Sequence, residues 1–129
     1  MTYQSRTGAV LFAKSLDRIA DFYSVVLGLT EASRDEEHIL LESPGFQLVV
    51  HRIPGNRAAM VEIAVPPVRR SAAAFKPVFF VPSIASVRVA AEAHGGVMEP
   101  VEKEWSFNGV TVCDGMDPEG NVVQFHENR

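Results

Sequence analysis

The chain has 129 residues with 47% hydrophobic content, which suits one globular domain and includes no apolar run long enough to cross a bilayer. Its formal net charge is −4, and scattered Lys and Arg residues leave no basic face for nucleic acid. Because the chain has one cysteine, Cys113, and no apolar signal region at its N-terminus, we expect a cytoplasmic protein without an internal disulfide.

The first half of the chain follows a β-α-β-β-β pattern. The apolar run from Val10 to Ala13 predicts a strand, and Ser15 is a suitable N-cap for a helix. Apolar residues then recur at helical spacing until Gly28, which can end the helix in the left-handed conformation. Three extended segments are predicted next, at residues 30–33, 38–42 and 46–51.

The second half repeats this pattern. Val78 to Val81 predicts the strand, Ser83 the N-cap, and Gly95 and Gly96 the end of the helix. Extended segments are predicted at residues 97–100, 110–113 and 122–126, with a loop at residues 102–108. One such unit is too small to bury its own sheet, so a duplicated unit must pair its two copies.

The sequence therefore predicts an α+β fold in a single domain covering residues 1–129. Module one is expected at residues 6–53, a linker at 54–75 and module two at 76–129. Within the linker, Met60 to Val65 could form an edge strand or a helical turn, and the sequence leaves that choice open.

Alternation along the strands predicts which side chains face away from the helices. Leu48 and Val50 in one module, and Val123 and Phe125 in the other, form the apolar face that packs on a helix. The opposite face mixes aromatic and polar side chains, as ligand sites do. The predicted ligand-binding residues on that face and its loop are Phe12, Gln47, His51, Lys76, Phe80, Trp105, Gln124 and His126.

Each polar candidate has a structural alternative. Lys76 could hold an anionic group of a ligand, or begin its strand and extend into solvent. His51 and His126 could act as ligands or bases near neutral pH, or be solvated at strand ends. Trp105 and Phe107 could cover a ligand or anchor a homodimer.

The end of the chain resembles a known signature. Asp117-Pro118-Glu119-Gly120-Asn121 forms a turn before the last predicted strand, and it resembles the closing motif of the glyoxalase/bleomycin-resistance/extradiol dioxygenase (vicinal oxygen chelate) superfamily. The strings Lys14 to Arg18, Phe22-Tyr23 and Leu27 to Leu29 resemble its first module. This resemblance implies two tandem βαβββ modules whose mixed sheets form an open cup around the site.

The resemblance also implies where a metal would bind. The four metal positions of the family fall at Gly8, Val49, Lys76 and Gln124. Only Gln124 offers a ligand atom, whereas a catalytic ion usually keeps about three protein ligands. We therefore expect no metal at the usual positions; a displaced site would use His51, Gln124 and His126.

Two functions follow from these observations. The favoured one is a glyoxalase-like protein that binds a small, partly apolar molecule, neutral or anionic, in the cup without a metal or other cofactor. The alternative is a lyase, isomerase, dioxygenase or thiol-transferase of the same superfamily that uses a displaced divalent metal. The sequence excludes neither a scaffold role nor a homodimer, and it leaves open whether the protein is an enzyme and which ligand it binds.

Overall fold

The computed structural model of the chain describes residues 4–128 and forms two compact units that divide between Glu62 and Ile63. Each unit contains one mixed sheet and one main helix. Among these residues, no helix is long and apolar enough to cross a membrane.

The first unit contains the predicted β-α-β-β-β order. Its helix begins after Ser15, whose Oγ accepts a hydrogen bond from the Arg18 backbone N–H, and ends at Gly28 in the left-handed conformation. The elements are β1 (Ser5–Ala13), α1 (Leu16–Leu27), β2 (Thr30–Arg34), β3 (His38–Ser43), β4 (Gly45–Arg52) and a short α2 (Gly55–Ala58). The sheet order is β1-β4-β3-β2, in which β1 and β4 are parallel and the other pairs are antiparallel.

The second unit repeats that order with one addition. The elements are β5 (Val78–Val81), α3 (Ile84–Ala93), β6 (Val97–Met98), β7 (Trp105–Phe107), β8 (Val110–Met116) and β9 (Val122–Glu127). Its sheet runs β5-β9-β8-β6, and the short strand β7 also pairs with β8. The prediction of a loop at residues 102–108 is therefore wrong, because Trp105 to Phe107 pair with Val112 to Val110.

The faces predicted from alternation are confirmed. Leu48, Val50, Val123 and Phe125 are all buried. The opposite face is open, and Phe80, for example, remains 62% exposed. A slip of one residue would have exchanged the two faces, so the strand registers agree with the sequence pattern.

The later part of the predicted linker belongs to the second unit. Within the linker α2 is the single regular element that the structure describes, and residues 61–65 form neither the edge strand nor the helical turn. In the later part the Arg70 backbone N–H donates to the Gly120 carbonyl at 3.0 Å. Arg70 Nε also donates to the Glu119 carbonyl at 3.0 Å.

These bonds hold the linker against the predicted turn at Asp117 to Asn121. The Asp117 carboxylate is buried and accepts the backbone N–H groups of Glu119 and Asn121 at 2.9 and 3.1 Å. Gly120 has a φ of +83°, which glycine adopts without strain. The turn is confirmed, and it fixes the start of β9.

Candidate functional site

The strongest candidate site lies on the side of the second sheet that faces away from α3. We call it the second open face and define it by Lys76, Val78, Phe80, Trp105, Phe107, Val112, Asp114, Gln124 and His126. Strand register places these side chains in rows across the sheet, because Val78 lies opposite Gln124 and Phe80 opposite His126. On the other side of β9, Asp114 lies opposite Gln124 and Val112 opposite His126.

Three polar side chains on this face form a chain of hydrogen bonds, which we call the relay. Gln124 Nε2 donates to Asp114 Oδ1 at 3.0 Å. Gln124 Oε1 lies 2.7 Å from His126 Nε2. Because a carboxylate only accepts hydrogen bonds, Asp114 must face the amide N–H group of Gln124 and so fixes the orientation of that amide. Because the amide oxygen also only accepts, His126 Nε2 must carry a proton. Asp114 and His126 are only 8% and 7% exposed.

The relay sets the tautomer of His126. When the imidazole is neutral, a proton on Nε2 leaves Nδ1 as an acceptor. Nδ1 has no hydrogen-bond partner among residues 4–128, and no buried side-chain nitrogen or oxygen in that range lacks one, so Nδ1 is not completely buried. The imidazole itself is enclosed, with ring centroids 5.0 Å from Phe80 and 6.2 Å from Phe107. The alternative of a freely solvated strand-end histidine is therefore wrong for His126.

Two cations contact the far oxygen of the Asp114 carboxylate. Lys76 Nζ lies 2.9 Å from Asp114 Oδ2, and Arg69 Nη2 lies 3.7 Å from the same atom. Arg69 also pairs with Glu99 at 3.1 Å. Lys76 thus neither extends freely into solvent nor stands unpaired, although its side chain keeps 40% of its exposure.

A small cavity lies next to the relay, at the end of the sheet where β9 begins. Its volume is about 250 Å³. Met116 and Val122 form part of its wall. They lie opposite each other and are the next pair on the same face after Asp114 and Gln124. The complete lining is Arg69, Val97, Met98, Glu99, Pro100, Gly115, Met116 and Val122.

Three predicted site residues, Phe12, Gln47 and His51, belong to the first unit. Phe12 and His51 lie opposite each other on the open side of its sheet, with ring centroids 5.0 Å apart. The Gln47 side chain accepts a hydrogen bond from Ser5 Oγ at 3.5 Å. The remaining five, from Lys76 to His126, share the second open face.

Sequence reasoning missed Asp114 and Arg69, which organise the polar part of the face. Asp114 could have been found from alternation along β8, because it lies two residues from Val112 on the same face. Arg69 carried no such signal, since it lies outside every strand and reaches Asp114 by a contact between residues distant in sequence.

A family model described as Glyoxalase/Bleomycin resistance protein/Dioxygenase superfamily matches residues 7–125. The chain belongs to this superfamily. A search of curated proteins found no significant match. The fold class predicted from the sequence and the resemblance to the superfamily are both confirmed.

Solved structures of the superfamily show the same fold. A glyoxalase/bleomycin resistance protein/dioxygenase family enzyme from Burkholderia phytofirmans PsJN is 16% identical, with a TM-score of 0.70 over 96% of this chain and 98% of that one. The fosfomycin resistance protein FosX from Listeria monocytogenes is 13% identical, with a TM-score of 0.67 over 100% and 93%. A bleomycin resistance determinant encoded on transposon Tn5 is 19% identical, with a TM-score of 0.59 over 99% of each chain.

The first-unit positions that hold the metal in this superfamily do not suit a metal here. Gly8 faces Gln47, and a Cβ added to Gly8 would lie 2.9 Å from the Gln47 carbonyl oxygen and 3.2 Å from its Cγ. A side chain at position 8 would therefore require the facing strand to move. Val49 has no ligand atom.

The second-unit positions do not suit one either. Lys76 is cationic and already paired with Asp114. Both amide atoms of Gln124 are engaged, Nε2 with Asp114 and Oε1 with His126, so an ion at Oε1 would compete with the bond to His126. His126 uses Nε2 in the same bond and keeps only Nδ1 for any ligand. Residues 4–128 contain no group of three or more His, Cys, Asp or Glu side chains placed to hold a metal.

Proposed function

We propose that the protein binds a small, partly apolar molecule carrying an anionic group on the second open face, without the divalent metal of its relatives. The observation that carries this proposal is the relay, which uses both amide atoms of Gln124 internally and leaves His126 Nδ1 for a ligand. Protein donors and acceptors thus replace the ion as the polar part of the site.

The apolar part of the proposed site is aromatic. Phe80, Phe107 and Trp105 all leave large parts of their side chains exposed around His126. Soluble proteins rarely leave neighbouring aromatic side chains uncovered without a binding role. A planar or branched apolar group lying over these rings would bury the exposed surface, and each buried methylene contributes about 0.8 kcal/mol.

The polar part defines the rest of the ligand. His126 Nδ1 accepts a hydrogen bond from a hydroxyl or N–H group of the ligand. Lys76 lies on the same face, four residues before Phe80. Its side chain is partly exposed, and its ammonium group favours a carboxylate, sulfonate or phosphonate. The preferred ligand is therefore an apolar body with one hydrogen-bond donor and one anion.

The named activities of similar structures suggest test compounds. FosX is described as a fosfomycin resistance protein and the Tn5 product as a bleomycin resistance determinant. Fosfomycin and bleomycin are therefore useful competitors, and capture of a toxic compound is the form of binding that we propose. Dimerisation and a cytoplasmic location remain predictions from the sequence.

The binding proposal predicts that anilinonaphthalene sulfonate, an anionic aromatic dye, binds the full chain with equal affinity before and after treatment with EDTA. Trp105 is the single tryptophan, so energy transfer from it to the dye reports binding to the chain, and the variants below test whether the dye lies on this face. Phe80→Ala should weaken binding about fivefold, because truncating a contacting aromatic side chain typically costs about 1 kcal/mol or more. Phe75→Ala is the control, since Phe75 is exposed and belongs to no strand of the second sheet.

Two results would contradict the proposal. Equal weakening by Phe80→Ala and Phe75→Ala would show that the dye binds elsewhere. Loss of dye binding after EDTA, with recovery on adding Zn²⁺ or Mn²⁺, would favour the alternative of a metal-dependent enzyme. Competition by fosfomycin or bleomycin would identify the class of compound.

A second prediction concerns charge. Lys76→Ala should weaken binding of naphthoate about threefold to fivefold, as expected for a partly exposed ion pair worth up to about 1 kcal/mol, and leave binding of the neutral naphthylmethanol unchanged. Calorimetric titration of both compounds measures the difference. If Lys76→Ala binds naphthoate as well as the original chain, Lys76 does not recognise the anion.

A further inference from the structure

Two histidines of the first unit lie opposite each other on neighbouring strands. His38 on β3 lies directly opposite His51 on β4, and their ring centroids are 4.4 Å apart with an interplanar angle of 75°. Directly opposite side chains project from the same side of an antiparallel pair. Neither residue occupies a metal position of the superfamily.

The proton of His38 is fixed by Asp35. His38 Nδ1 lies 3.1 Å from Asp35 Oδ1. The same oxygen accepts the backbone N–H groups of Glu37 and His38, each at 2.8 Å. Because an ionised carboxylate only accepts, His38 Nδ1 carries the proton.

The proton of His51 is fixed by its neighbour. His51 Nδ1 lies 2.7 Å from the carbonyl oxygen of Arg52, which can only accept, so this nitrogen also carries a proton. The neutral form of each ring then has its lone pair on Nε2. Neither Nε2 has a hydrogen-bond partner within residues 4–128.

This arrangement matches the surroundings of metal-binding histidines, in which the second ring nitrogen donates to a carboxylate or a backbone carbonyl. Two imidazole nitrogens bound at about 2.0–2.1 Å to one ion are roughly 3 Å apart. The 4.4 Å between the ring centroids of His38 and His51 is compatible with that separation of their Nε2 atoms.

We infer that His38 and His51 bind one first-row transition-metal ion through their Nε2 atoms, with water molecules as the remaining ligands. Imidazole suits copper, zinc and nickel, and Cu²⁺ binds most tightly in the general order of divalent affinities. Because only two protein ligands are present, the ion exchanges readily. This site shares no residue with the second open face and does not depend on the ligand proposed there.

Titration of the full chain with Cu²⁺ tests the inference. We expect one Cu²⁺ ion per chain with an affinity on the order of micromolar, and an electron paramagnetic resonance spectrum with hyperfine structure from two imidazole nitrogens. His38→Gln and His51→Gln should each weaken binding at least tenfold. His94→Gln, at a helix end in the second unit, is the matched control and should have no effect.

Asp35→Asn gives a test that leaves both ligands in place. Loss of the carboxylate that orients His38 should weaken Cu²⁺ binding roughly tenfold, as is typical for residues that support a metal ligand. Circular dichroism confirms that each variant is folded. A spectrum of the unaltered chain that shows only one nitrogen ligand would overturn the inference. Equal Cu²⁺ affinity in His38→Gln and His94→Gln would overturn it as well.

Discussion

Asp114→Ala is expected to lower the free energy of unfolding by about 2 kcal/mol and to weaken dye binding on the second open face about tenfold. Removing one partner of a fully buried ion pair costs 3–5 kcal/mol, because the other charge is left unpaired. Here Lys76 and Arg69 keep 40% and 43% of their side-chain exposure, so water compensates in part and the smaller figure applies.

The effect on binding has a different cause. Without Asp114, the Gln124 amide has no fixed acceptor and can rotate, so Gln124 Oε1 no longer holds the proton of His126 on Nε2. The acceptor atom that we propose for the ligand, His126 Nδ1, is then present in only part of the molecules. Urea denaturation measures the change in stability, and energy transfer from Trp105 measures binding.

Two variants separate these causes. Asp114→Asn keeps an acceptor oxygen for Gln124 Nε2 but removes the negative charge, so it should bind the dye better than Asp114→Ala. Glu99→Gln breaks a more exposed pair with Arg69 and should change the free energy of unfolding by less than about 0.5 kcal/mol. Unchanged binding in Asp114→Ala would remove the relay from the proposed site.

Gly120→Ala is expected to cost roughly 3 kcal/mol or more of stability. Gly120 has a φ of +83°, and an added Cβ would lie 2.0 Å from the Val68 carbonyl oxygen. The left-handed conformation alone costs alanine about 1–2 kcal/mol, and the contact requires the backbone at Val68 to move. That movement would also shift Arg69, which contacts Asp114, so dye binding should weaken as well.

Gly28→Ala is the control for conformation without contact. Gly28 also has a positive φ, +69°, but no atom lies within 4 Å of the position that its Cβ would occupy. Its expected cost is therefore the conformational part alone, about 1–2 kcal/mol. Equal losses in the two variants, measured by urea denaturation, would show that the approach of residue 68 to the final turn contributes nothing.

Local patterns were sufficient for most of the fold. Caps at Ser15 and Ser83, the turn at Asp117 to Asn121 and strict alternation in β4 and β9 are determined by residues close in sequence. The strand at Trp105 to Phe107 was missed because three residues are too few to show a periodic pattern in the sequence. Its pairing with β8 is visible only in the folded sheet.

The sequence by itself determined the duplicated modules and the two faces of each sheet, and its resemblance to the superfamily predicts that three of the four metal positions lack ligand atoms. The tertiary structure decided how Gln124 is used, because Asp114, which orients its amide, lies on the neighbouring strand β8 and meets Gln124 only in the folded sheet. It also placed Arg69 on Asp114 and His38 opposite His51. Such contacts depend on register and packing between distant segments, whereas caps, turns and alternation depend on neighbouring residues alone.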